Sequence, residues 1–145
     1  MKPRLNFYRA SPDAMKAMMT LEQQGIRSTL EKSLIELVRL RVSQMNGCAY
    51  CVDLHSTDAR KAGEDERRLA AVVVWRETAF FGERERAALA WAESVTRVAE
   101  THVPDEVWLE VKPYFTETEM VDLTMVINTI NAWNRLAIAF RKLPV

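Results

Sequence analysis

The chain lacks an excess of charge of either sign, since 20 Lys and Arg residues face 20 Asp and Glu residues. It therefore has no positive bias that would draw it to nucleic acid or to an anionic membrane surface. It also has no run approaching the roughly 18 uninterrupted apolar residues of a membrane-spanning helix. The opening Met1-Lys2-Pro3-Arg4 places charge and a proline where a secretory signal needs an apolar stretch, so a cytoplasmic protein is expected. Cysteine is scarce, with only Cys48 and Cys51 present. In a reducing compartment such a pair is not expected to be a structural staple, and a bridge closing so short a loop restricts the unfolded chain little. Redox chemistry and metal binding are the uses that remain.

What the sequence has in quantity is helix-forming material. With 48% hydrophobic residues and only 4 Gly and 5 Pro, residues 1–145 suit one compact domain. Ser11-Pro12-Asp13 reads as an N-cap followed by a first-turn proline, opening a helix that Gly25 is expected to stop. Ser28-Thr29-Leu30-Glu31 has capping-box spacing and predicts a second helix to about Asn46, where Gly47 supplies a left-handed terminus. A third helix is predicted from about Cys48 to Ala62 and a fourth from Glu64 to Val74. The stretch from Trp75 to Gly82 is irregular and aromatic, which suggests a connection held down by packing. Glu83 to about Glu100 reads as a strong helix and a short one follows Pro104. Thr116-Glu117-Thr118-Glu119 is a second capping box, opening a long apolar helix to about Arg141. The predicted fold class is all-α, a compact bundle of about six to seven helices without strands or repeats. The apolar circumference of the last helix and the aromatics near Trp75 predict a homo-oligomer.

At 100° per residue, Cys48, Cys51, Val52, His55, Ala59 and Ala62 share one inward stripe, while Tyr50, Asp53, Thr57, Arg60 and Lys61 point away. Cys48 and Cys51 stand at i,i+3 and Cys51 and His55 at i,i+4, both contact spacings. A helix N-terminus and a neighbouring imidazole both favour the thiolate, which is the reactive form, and a second cysteine one turn away can resolve a sulfenic acid. Zinc binding is the alternative, with Cys48, Cys51 and His55 in local reach and a distant Glu36 or His102 needed to complete four ligands. Inert packing of the three side chains is the third reading. Attachment of a c-type haem is excluded, because Val52 rather than His follows the second cysteine. Asn131, Asn134 and Arg135 read as satisfied core or interface hydrogen bonds, and Trp75, Phe80, Phe81 and Trp91 as packing or subunit contact.

The segment Glu36-Leu37-Val38-Arg39-Leu40-Arg41-Val42-Ser43-Gln44-Met45-Asn46-Gly47-Cys48-Ala49-Tyr50-Cys51-Val52-Asp53-Leu54-His55 closely resembles the core motif of the alkylhydroperoxidase D family. Its elements are a Glu twelve residues before a CxxC and a His four residues after it. Asp58-Ala59-Arg60-Lys61-Ala62-Gly63, Glu83-Arg84-Glu85-Arg86-Ala87-Ala88-Leu89-Ala90-Trp91 and Ile130-Asn131-Ala132-Trp133-Asn134-Arg135-Leu136-Ala137 are similar to the wider carboxymuconolactone decarboxylase superfamily. The resemblance implies a helical, oligomeric thiol-dependent peroxidase, commonly trimeric or hexameric, acting on hydroperoxides without a bound cofactor or metal. It makes Cys51 the peroxidatic cysteine, Cys48 the resolving one, and His55 and Glu36 a proton relay. Electrons would come from a partner thiol protein or a small dithiol. Tyr50 departs from the pattern, standing where family peroxidases often carry a second His. A phenol does not accept a proton in that way near neutral pH, which bears on peroxidase efficiency. A decarboxylase acting on a small lactone acid and a non-enzymatic redox-sensing oligomer are the competing readings, and the adjacent dithiol argues against the first. Judged from its own helix alone, Glu36 reads as solvated, because it sits beside Lys32, Arg39 and Ser43 and away from the Leu34, Leu37 and Val38 stripe.

Overall fold

A computed structural model describes residues 1–144. The chain forms α1 (Phe7–Ala10), α2 (Pro12–Arg27), α3 (Lys32–Asn46), α4 (Ala49–Lys61), α5 (Glu66–Ala71), α6 (Glu83–Thr96), α7 (Val98–Thr101), α8 (Asp105–Val111) and α9 (Glu117–Phe140). Two 3-10 segments, Val72–Glu77 and Lys112–Tyr114, follow α5 and α8, and there is no strand among the described residues. The all-α expectation holds, with nine α-helices among the described residues in place of six to seven. One of the additional two is the four-residue α1, capped by the Asn6 side chain, which accepts from the Arg9 N–H at 3.2 Å. The other arises because the backbone breaks at Arg97 (φ −99°, ψ 33°) and divides the predicted Glu83–Glu100 helix into α6 and α7.

Gly25 does not stop α2. It lies buried within the helix, where a Cβ would come within 3.0 Å of Cγ2 of Val126 on α9. The residue is a point of close helix approach rather than a terminus, and helix propensity yields to packing. Ser28 correspondingly ends α2, its hydroxyl donating to the Gly25 carbonyl at 2.7 Å, and no capping box opens α3. The Thr116 box does form. The Thr116 hydroxyl accepts from the Glu119 N–H at 3.2 Å while the Glu119 carboxylate accepts from the Thr116 N–H at 2.9 Å.

Helix α3 occupies the centre, packed against α4, α6 and α9. Leu37, Val38 and Val42 of α3, Leu89 of α6 and Leu123 and Ile127 of α9 are fully buried. Side chains of this size each contribute roughly 1.5–3 kcal/mol through burial, so together they fix how α3 is rotated and where its polar edge points. Ala87, Ala88 and Ala92 leave little bulk on the inner face of α6, which lets the helices approach. Within this apolar centre the Asn46 amide donates to the side-chain oxygens of Asn131 (2.9 Å) and Asn134 (2.8 Å), while Asn134 donates to the Ser43 hydroxyl at 3.1 Å. Asn131 and Asn134 are thus satisfied core groups, and they anchor the last residue of α3 to α9.

Trp75 and Phe81 are buried within the single chain, and of the three aromatics in that stretch Phe80 alone is exposed. The Trp75 indole donates to Glu93 at 2.8 Å, and the Arg76 and Arg86 guanidiniums lie 4.2 and 5.1 Å from its ring centre. Trp75 and Phe81 are thus covered by this chain's own side chains, while Phe80 stays at the surface. At the other end of the molecule, Arg4 pins the N-terminal segment to α9 by donating to the Phe140 carbonyl (3.0 Å, main chain) and the Ala139 carbonyl (2.8 Å, side chain). No helix among the described residues is long and apolar enough to cross a membrane.

Candidate active site

Gly47 closes α3 in the left-handed region at φ 69°, and the Cys48 N–H donates back to the Ser43 carbonyl at 3.0 Å. This turn sends the chain directly into α4 with Cys48 as N-cap, so the sulfur of Cys48 accepts from the Cys51 N–H at 3.3 Å. Cys48 and Cys51 are joined in a disulfide, and both are buried, as is His55 one turn further on. Ala62, assigned by sequence to the inward stripe, lies past the end of α4 as its C-cap and is exposed. Tyr50 is half-buried rather than turned fully outward.

The carboxylate of Glu36 reaches across from α3, and His55 Nδ1–H donates to its Oε2 at 2.9 Å. The same carboxylate accepts from Arg39 at 2.7 Å, and Arg39, only 7% exposed, is also paired with Glu22 of α2. Glu22 in turn accepts from the Trp133 indole of α9 at 3.0 Å. A continuous polar chain runs Trp133, Glu22, Arg39, Glu36, His55 across four helices. Glu36 is therefore no solvated surface group. The reading from its own helix failed because α2 and α4 supply partners to the edge of α3 on which Glu36 and Arg39 stand. With Nδ1 committed to Glu36, Nε2 is the ring nitrogen of His55 left to exchange a proton with a sulfur or a ligand.

A cavity of about 180 Å³ opens beside the disulfide. Cys51 and His55 line it and Cys48 does not, while Phe7, Met19, Leu54, Ile130 and Trp133 give it mostly apolar walls. Tyr8, Tyr50 and Lys142 complete its rim. Lys142 is placed there by the end of α9, where Arg141 takes the left-handed conformation (φ 53°) and the Lys142 N–H bonds the Ala137 carbonyl at 2.9 Å. A non-glycine residue adopts that conformation at a cost of roughly 1–2 kcal/mol. The ammonium of Lys142 sits 4.1 Å from the Tyr50 ring centre and 4.6 Å from that of Tyr8. Burial disfavours the charged form, but the neighbouring tyrosine oxygens outweigh it and hold Lys142 above the ordinary lysine value.

Four positions singled out from the sequence, Glu36, Cys48, Cys51 and His55, are thus brought together. Glu22, Arg39, Trp133 and Lys142 join them without having been anticipated. Arg39 stands three residues from Glu36 on one helix face and could have been read as its partner. Glu22 and Lys142 come from distant parts of the chain and carry no local signal. For a cation, Glu36, His55 and Asp58 bring ligand atoms within 4.8 Å of one another. Arg39 already holds Glu36 there, and the cysteines, joined to each other, take no part in that group. His102, the other proposed zinc ligand, caps α7 and is exposed.

These features define an all-helical dithiol protein with an imidazole and a carboxylate set beside its cysteines. The model of the carboxymuconolactone decarboxylase family matches residues 12–94, from the start of α2 to near the end of α6. YdfG, an uncharacterised protein of Bacillus subtilis, is 42% identical over 139 residues, covering 96% of this chain and 95% of that protein. The crystal structure of ATU0492 from Agrobacterium tumefaciens, a protein of unknown function for which an AhpD antioxidant defence role has been suggested, superposes with a TM-score of 0.96 at 43% identity over 99% of both chains. The debrominase Bmp8 shares the fold, with a TM-score of 0.80 at 21% identity over 94% of this chain and 73% of that one. The chain belongs to the carboxymuconolactone decarboxylase family, with an AhpD-like fold.

Burial alone pushes the Glu36 carboxyl up, but its hydrogen bonds and charge interactions with His55 and Arg39 together outweigh it, and the group lies below its ordinary value of 4.5. A folded-state value below the unfolded one means that ionised Glu36 contributes stability above about pH 4.5, lost as the pH falls through the lowered value. The difference in unfolding free energy between wild type and Glu36→Gln is expected to shrink below that pH in chemical denaturation. A difference that persists unchanged to about pH 3 would show that the carboxylate charge is not what holds this contact.

Proposed function

We propose that the protein is a thiol-dependent hydroperoxide reductase that cycles between a Cys48, Cys51 dithiol and the disulfide. One observation carries this reading: of the two cysteines, only Cys51 lines the cavity, and His55, bonded to Glu36, lines it as well. In the reduced protein His55 Nε2 takes the Cys51 thiol proton, with Glu36 stabilising the imidazolium through Nδ1–H. The Cys51 thiolate attacks the terminal peroxide oxygen, an S–O bond forms as the O–O bond breaks, and the departing alkoxide takes the proton back as an alcohol. Cys51 is left as a sulfenic acid, oxidised by two electrons. Cys48 then attacks the Cys51 sulfur, forming the disulfide and releasing water.

The position of Cys48 suits its half of the cycle. As the N-cap of α4, beside the Cys51 N–H, its thiolate is stabilised both as the resolving nucleophile and as the leaving group when a donor thiolate opens the disulfide at Cys51. A second donor thiol then releases Cys51, so each turnover consumes one dithiol of an external reductant, a thiol protein or a small dithiol. A decarboxylase acting on a small lactone acid has no use for a buried pair of adjacent thiols. Likeness to the debrominase extends to the fold alone, so the hydroperoxide assignment rests on this chain's own site.

Peroxide turnover is expected to vanish in Cys51→Ser, whereas Cys48→Ser should form one sulfenic acid per chain that persists for want of a resolving thiol. A dimedone-type probe read by mass spectrometry distinguishes the two variants. Labelling of Cys51→Ser with none in Cys48→Ser would reverse the assignment.

The protein is also proposed to be a homo-oligomer, a trimer or hexamer. Val121 on α9 (63% exposed) and Leu109 and Trp108 on α8 leave an apolar face at the surface, next to Trp91, whose ring centre is 5.9 Å from that of Trp108. Apolar exposure of this kind favours burial against another copy of the chain. Sedimentation at micromolar concentration should give a multiple of 16.7 kDa, and a single 16.7 kDa species would contradict it.

A further inference from the structure

The side chains lining the cavity beside Cys51 include Glu22, His55 and Lys142, and Lys142 is the one that could offer a ligand a cation with donors to spare. Glu22 is held by Arg39 and the Trp133 indole, and the His55 imidazole is held by Glu36. Lys142 has a different status. Its ammonium carries three donors, and its one hydrogen bond among the described residues is a 3.5 Å contact to the Tyr8 hydroxyl. No carboxylate among the described residues pairs with it. The rings of Tyr50, Tyr8 and Phe7 also surround the ammonium, at 4.1, 4.6 and 5.7 Å from their centres, and the tyrosine oxygens favour its charged form. The left-handed turn at Arg141 aims this cation back over the cavity instead of letting the chain leave the surface.

From this we infer that the preferred substrate is a small organic hydroperoxide carrying a carboxylate, with the carboxylate bound by Lys142 at the rim and the apolar body against Leu54, Ile130 and Trp133. The inference rests on the hydroperoxide reductase reading above and specifies its substrate. A cavity lined by apolar side chains, one lysine and a cysteine sorts ligands by their having both an apolar body and an anionic group. Hydrogen peroxide fills neither requirement, and a neutral alkyl hydroperoxide fills only the first. The chemistry stays that of the cycle: the hydroperoxide is reduced to the alcohol, the dithiol is oxidised to the disulfide, and the carboxylate does not change. Tyr50 has a part in this arrangement. Where the family pattern often has a second imidazole, this chain has an aromatic face supporting the cation.

The test compares cumene hydroperoxide, its para-carboxylate derivative and the methyl ester of that derivative, with dithiothreitol as reductant. The readout is the ratio of kcat/KM for the carboxylate to kcat/KM for the ester, so that any general loss of activity cancels. Wild type should prefer the carboxylate by about tenfold, the scale of one charge-assisted hydrogen bond, and the preference should decline as salt is added. Lys142→Gln should bring the ratio to near one, and Lys142→Arg should preserve most of it. A wild-type ratio near one would overturn the inference while leaving the reductase reading intact. A preference that survives Lys142→Gln would likewise overturn it. If none of the three compounds oxidises the dithiol, the reductase reading itself fails and the inference with it.

Discussion

Burying Arg39 between two carboxylates is the constraint around which the site is built. A guanidinium taken out of water is costly unless its charge and its donors are matched, and here Glu22 and Glu36 match both. Each carboxylate is then held a second time, Glu22 by the Trp133 indole and Glu36 by the His55 imidazole. No member can move without exposing the next one to an unpaired charge in a poorly solvated place, where losing one partner of a buried pair costs about 3–5 kcal/mol. This mutual dependence joins α2, α3, α4 and α9 and sets the rotation of His55 relative to Cys51.

The apolar packing and this polar chain have separate duties. Leu37, Val38 and Val42 hold α3 against α6 and α9, while the opposite edge of the same helix carries Glu36 and Arg39 toward α2 and α4. The Asn46, Asn131, Asn134 cluster then fixes the turn before Cys48, so the start of α4 is located from both sides. A thiol site gains from such placement. In the proposed cycle the reacting cysteine lines the cavity, the resolving cysteine is the N-cap of α4, and the imidazole proposed to exchange protons is oriented by a carboxylate.

Much of the helical architecture was legible because caps and periodicity are local signals. The Thr116 box, the left-handed Gly47 and the spacing of Cys48, Cys51 and His55 are all written within a few residues of one another. The misreadings have tertiary causes. Gly25 looked like a stop because glycine usually ends helices, yet its role is to admit Val126 of α9. Glu36 looked solvated because its helix face is polar, yet two other helices supply partners to that face. The CxxC spacing left zinc, redox chemistry and inert packing open, and the motif resemblance is what made Glu36 a partner of His55 in a proton relay. Lys142 and Glu22 could not have been placed at all, since each reaches the cavity through contacts made far along the chain.

The account depends most on the claim that Glu36 acts through His55 on the Cys51 thiol. Glu36→Gln keeps the shape and a hydrogen-bonding group but cannot stabilise an imidazolium by charge. The direct measurement is the single-turnover rate of Cys51 oxidation by cumene hydroperoxide in the folded, reduced variant across about pH 6 to 8. General acid and base groups contribute roughly 10² to 10⁴-fold, so a rate lower by about a hundredfold or more is predicted. A rate within about threefold of wild type throughout that range would contradict the relay and leave His55 to accept the proton unaided.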